Sequence, residues 1–61
     1  MSNTIKMVVL DNVKVTYEFH NDGSVSVESV VTHGNFVENY NGRLSFDSVE
    51  KMIEWARRQY D

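Results

Sequence analysis

From Val13 to His20 the chain alternates strictly, with Val13, Val15, Tyr17 and Phe19 on one parity and Lys14, Thr16, Glu18 and His20 on the other. A period of two places those sets on opposite faces of an extended strand, which a helix cannot do. The residues that follow, Asn21-Asp22-Gly23, are turn formers. Ser24 to His33 then carries valines on odd positions, at Val25, Val27 and Val31. These features together commit the middle of the chain to an antiparallel hairpin with one apolar face.

The turn sets the register. A two-residue Asp22-Gly23 loop would oppose Phe19 to Ser26 and Tyr17 to Glu28, mixing the faces. A three-residue loop, a type I turn with Gly23 left-handed at a bulge, opposes Phe19 to Val25, Tyr17 to Val27 and Val13 to Val31. The three-residue loop is expected because it builds one apolar face.

The same pattern extends in both directions. A two-residue turn at His33-Gly34 pairs Val31 with Phe36 and Val27 with Tyr40, leaving Glu38 on the core side opposite Ser29, at a sheet edge or a bulge. Upstream, Ile5 to Leu10 is apolar on both parities: Ile5, Met7 and Val9 on one, Val8 and Leu10 on the other. Asp11-Asn12 suits a tight turn, and the parity of that loop, which the sequence leaves open, decides which set joins the core. After Asn41-Gly42 the period changes. Phe46, Val49, Met52, Ile53, Ala56 and Tyr60 recur at helical spacing, with Ile53 near the middle of the stripe, opposite Asp47, Glu50, Lys51, Glu54, Arg57 and Arg58. Ser45 or Asp47 is the expected cap, Asp47 and Glu50 having capping-box spacing. Asp47–Lys51 and Glu54–Arg58 are i, i+4 pairs, and Arg57 and Arg58 complement the helix dipole in the last turn. The expected fold class is α+β: an antiparallel three- to four-stranded meander with one C-terminal helix packed on one face, β-β-β-β-α, as a single small domain over 1–61.

Size narrows function. A chain of 61 residues buries only about 60% of the surface its unfolded form exposes, and small domains usually need a staple. Cysteine is absent, which excludes disulfides and thiolate-bound zinc and leaves a well-idealised core or association as the ways to gain stability. Met1 to Lys6 lacks the basic-then-apolar order of a secretion signal, and the longest apolar run, Met7-Val8-Val9-Leu10, is too short to cross a membrane. The expected location is therefore the cytoplasm, with no membrane partner. Nine acidic against six basic residues give a net charge of −3, which argues against nucleic acid, whose binding rests on neutralising phosphates.

No catalytic, cofactor or metal site is expected. His20 and His33 fall at hairpin ends without ligand spacing, no serine lies in a nucleophile elbow, and Gly23, Gly34 and Gly42 are each used by a turn rather than by a phosphate loop. The nearest basic stripe, Arg57-Arg58 with Trp55, Tyr60 and Lys51, is offset by Glu50, Glu54 and Asp61. Two features go beyond a plain scaffold. Trp55 lies about 120° from the centre of the helical stripe at about 100° per residue, beside Ser48, Met52 and Gln59, where it either meets a partner or folds over the sheet edge to widen the core; Trp is favoured at binding hot spots. The first strand also carries apolar side chains on both faces, and one helix covers only one.

The expected partner-binding residues are therefore Ile5, Met7, Val9, Met52, Trp55, Arg58 and Gln59. The expected function is a small non-enzymatic protein-binding module, a regulator or inhibitor that occludes a larger partner, with a two-fold homodimer as a further mode of association. Glu18 and Glu28 on the outer face would steer it towards a basic partner surface. The alternative is a nucleic-acid-associated or antitoxin-like protein using the basic helix end at Arg57-Arg58. In length, mild acidity and sheet-then-helix order the chain resembles small phage-encoded proteins that inhibit host enzymes and small antitoxin-like domains; no motif carries the likeness, so it transfers no residues.

Overall fold

Five elements follow in chain order: β1 (Thr4–Leu10), β2 (Val13–Phe19), β3 (Val25–Thr32), β4 (Phe36–Phe46) and α1 (Val49–Tyr60). The computed structural model describes residues 3–60. The strands make one antiparallel sheet in the order β1-β2-β3-β4, and α1 packs across β2, β3 and β4 on one face. The expected β-β-β-β-α meander is the fold.

The β2–β3 hairpin turns as its sequence requires. Phe19 pairs with Val25 and Tyr17 with Val27. The Gly23 N–H donates to the His20 carbonyl at 3.0 Å with Gly23 at φ +93°. Asp22 accepts from the Ser24 hydroxyl at 2.7 Å and from its N–H at 3.0 Å, and these bonds hold its carboxyl below the usual carboxylate range. A Cβ on Gly23 would meet nothing within 4 Å, so the glycine is needed for its dihedral alone. Gly23→Ala is expected to cost about 1 kcal/mol in a denaturant titration; an unchanged midpoint would contradict the left-handed turn.

Beyond this hairpin the register departs from the simple alternation. Thr16 pairs with Ser29 while Tyr17 pairs with Val27, so Glu28 is an extra residue in β3. Such a bulge reverses parity for the rest of the strand. Val13 consequently pairs with Thr32 rather than Val31, Val15 pairs with Val30, and Val30 takes the core position that alternation assigns to Val31. The β3–β4 turn is also longer by one residue: Thr32 pairs with Phe36 and Val31 with Val37. His33 and Gly34 both have positive φ. Glu38 does lie on the helix side of the edge strand, but opposite Val30, and it is exposed. Asn41-Gly42 does not end the strand. Ser29 pairs with Asn39 and Val27 with Leu44, so residues 40 to 43 bulge outward opposite Glu28, and β4 runs on to Phe46. Tyr40 is therefore not the partner of Val27, and Phe46 is a strand residue rather than a helical one.

The core is a valine sheet closed by two helical residues. Val13, Val15, Val25, Val27 and Val30 are buried with Leu10 and Tyr17, and Met52 and Ala56 close over them from α1. Met52 and Ala56 are fully buried, whereas Ile53 is half-buried, so the expected stripe faces the sheet with its deepest point at Met52 and Ala56 rather than at Ile53. The cap is Ser48 rather than Ser45 or Asp47: its hydroxyl accepts from the Lys51 N–H at 3.3 Å and its carbonyl from the Met52 N–H at 3.2 Å. Ser48→Ala is expected to cost about 1 kcal/mol, and Asp47→Ala less than about 0.5 kcal/mol, in parallel thermal melts. Asp47–Lys51 closes at 3.8 Å on the surface; the Glu54–Arg58 pair does not form, and Asp47–Lys51 is the one ion pair among the described residues.

Candidate protein-binding surface

Loop parity settles which face of β1 joins the core. Asp11-Asn12 is a two-residue turn, with Leu10 paired to Val13. Opposed residues share a face, so Leu10 and Val8 follow Val13 and Val15 inward, while Ile5, Met7 and Val9 face away from the helix. They are 60%, 61% and 71% exposed. Their neighbours on β2 are Glu18, Thr16 and Lys14. At the turn end of this open face Val9 is continued by Lys14, then Val31 and Val37, the last 50% exposed. The open face thus carries an apolar strip along one edge with an apolar row across one end. A shallow hollow beside Val9 is lined by Lys14, Val31, His33 and the Asp11-Asn12 turn, and the His33 N–H donates to the Asn12 carbonyl at 2.8 Å to tie the two turns together.

Backbone geometry adds to this strip. The pair flanking a two-residue turn exchanges backbone hydrogen bonds, and bonded pairs alternate along the ladder. Leu10, Val8, Lys6 and Thr4 therefore turn their N–H and C=O groups towards β2. Ile5, Met7 and Val9 turn theirs outward. The residues that expose apolar side chains are the same ones whose backbone groups are unpaired among the described residues.

The two sheet edges are treated differently. On β4 the residue 40 to 43 bulge breaks the line of the edge, the Arg43 guanidinium covers the Tyr40 and Asn39 carbonyls at 2.9 and 3.2 Å, and Glu38 sets a charge on the inner face. These are devices that stop another strand from adding. On β1 all seven pairs with β2 run in unbroken register. Its one charge, Lys6, lies on the inner face with its ammonium 5.3 Å from the centre of the Phe19 ring.

The helix-side candidates are arranged otherwise. Met52 is buried beneath α1 and out of reach of any partner. Trp55 is half-buried and folds over β4, with ring centroids 5.4 Å from Phe46, 5.6 Å from Tyr40 and 5.7 Å from Tyr60, so it widens the core. The Tyr60 and Tyr40 hydroxyls bond at 2.7 Å; burial, then that bond, pushes the Tyr60 phenol above its ordinary value. Arg58 and Gln59 are exposed, on the opposite side of the molecule from Ile5, Met7 and Val9. The structure therefore unites the three β1 residues and separates them from the four on α1. Val31 joins the surface unforeseen, because its outward position depends on the Glu28 bulge; Val37 faces outward as the expected placement of Glu38 on the helix side requires.

His20 Nε2 lies 2.8 Å from the Ser26 hydroxyl, and among the described residues no three His, Cys, Asp or Glu side chains converge as metal ligands. No helix among them is long and apolar enough to cross a membrane. No family model, curated protein or solved structure matches the chain.

Proposed function

We propose that this chain is a small non-enzymatic protein-binding module, a regulator or inhibitor that docks on a larger protein and occludes it. The supporting observation is the asymmetry of the sheet edges: β4 is guarded, whereas β1 presents Ile5, Met7 and Val9 with their backbone groups free. An edge of this kind binds by adding a strand, the ladder supplying affinity and the alternate side chains specificity. The acidic balance of the chain, −3 overall, favours approach to a basic partner surface.

The test is affinity capture from the source cells with the intact chain as bait, followed by a salt titration of binding to duplex and single-stranded nucleic acid. One protein recovered in stoichiometric amount, with negligible nucleic-acid affinity, is the expected result. Nucleic-acid binding that weakens steeply with salt would overturn the reading in favour of contacts through Arg57 and Arg58.

A further inference from the structure

We propose that a second copy of this chain pairs with the open edge of β1, strand against strand about a two-fold axis at Met7, an inference that rests on the reading of β1 as a docking surface. A strand added to this edge must meet the outward backbone groups of Ile5, Met7 and Val9 with outward groups of its own. A second β1 running antiparallel does so in registers centred on Lys6, Met7 or Val8. Centring on Lys6 opposes Lys6 directly to its own mate, like charge against like. Centring on Val8 opposes Ile5 to Asp11 in the turn. Centring on Met7 opposes Met7 to Met7 and Ile5 to Val9 of the second copy, each pair exchanging two backbone hydrogen bonds, while Lys6 faces Val8 and Thr4 faces Leu10. In this register alone every outer apolar side chain of β1 gains an apolar neighbour and no two like charges meet.

Charge complementarity favours the same register. Glu18 is the β2 neighbour of Ile5, and Lys14 that of Val9. Pairing Ile5 with Val9 of the second copy makes a row in which Glu18 of one chain and Lys14 of the other bracket the apolar pair, and symmetry repeats the arrangement in reverse. The axis runs perpendicular to the sheet. Both helices consequently lie on one face, and the two apolar strips merge at the centre of the other; a larger protein that adds a strand to this edge must displace the second copy. The contact is one strand wide, below the roughly 800 Å² per partner of a standard stable interface, so the dimer is a reversible one populated at micromolar concentrations.

The chain has no cysteine, so a single introduced one reports its own symmetry mate. Met7→Cys sets two Cα atoms about 5.5 Å apart across a bonded pair, within disulfide range. Ile5→Cys sets them roughly 14 Å apart, four residues out of register. Both positions are more than half exposed, so both variants are expected to fold. Under mild oxidation Met7→Cys is expected to cross-link at least about tenfold faster than Ile5→Cys, and the unsubstituted chain to sediment as a monomer in equilibrium with a dimer. Equal cross-linking at the two positions, or a monodisperse monomer across the micromolar range, would overturn the dimer. Capture of a larger protein through Ile5, Met7 and Val9 would survive either result, so the docking surface and its self-pairing fail separately.

Discussion

Met52→Ala is expected to destabilise the fold by about 2–5 kcal/mol, the largest effect of any single truncation on α1. Met52 is fully buried in the core cluster that the valines of β2 and β3 share with α1. Its removal opens a cavity that a sheet pinned by its own ladder cannot collapse to fill. A domain of 61 residues holds roughly 3–9 kcal/mol in total, at about 0.05–0.15 kcal/mol per residue, so the variant is expected to lose a large share of its stability. Ile53→Ala, at a half-buried position beside it, is expected to cost less, and Glu54→Ala less than about 0.5 kcal/mol. Urea titration of the three variants checks the order. Equal losses at Met52 and Ile53 would mean that the helix sits in another phase.

The second large effect concerns binding. Replacing Ile5, Met7 and Val9 together by threonine keeps a strand-favouring residue at each position and removes apolar surface that the core does not use. Stability is expected to change by less than about 1 kcal/mol, as for other surface substitutions. Association is expected to collapse: full burial of one such side chain contributes about 1.5–3 kcal/mol, so even partial burial of three is worth about 3 kcal/mol, more than a hundredfold in Kd. The contrast between an intact melt and a lost partner is the diagnostic. Loss of both together would mean that the strip is structural.

The fold was legible where one face had to be apolar. Alternation in Val13–His20 and the turn chemistry of Asn21-Asp22-Gly23 leave one sensible register, and the structure has it from the turn as far as Tyr17 and Val27. Legibility failed at the bulges. Glu28 is locally an ordinary strand residue, and Asn41-Gly42 reads locally as a turn; only the pairing of β3 with β4 shows that one is inserted opposite an excursion containing the other. The misplacement of Val31, Tyr40 and Phe46 follows from that. The helix and its apolar stripe were recognisable, but β4 runs on to Phe46, which puts the cap at Ser48, and the stripe is buried most deeply at Met52 and Ala56 rather than at Ile53. Angular arithmetic on α1 left Trp55 either to meet a partner or to fold over the sheet edge, and it does the second, because an indole is long enough to reach the extended β4 beneath it. On β1 the three exposed side chains were visible as one of two sets, and the two-residue turn chose between them. Arg43 had no sequence signal, since its guarding role depends on a bulge.

Amide hydrogen exchange along β1, followed residue by residue in the free and the associated protein, tests the central claim most directly. In the free chain the N–H groups of Ile5, Met7 and Val9 point to solvent and should exchange quickly, while those of Lys6, Val8 and Leu10, bonded to β2, exchange slowly. Docking along the open edge predicts that the three fast amides become protected on association and that the slow set changes little. Protection that appears along α1 instead, with Ile5, Met7 and Val9 still exchanging as in the free chain, would contradict the account.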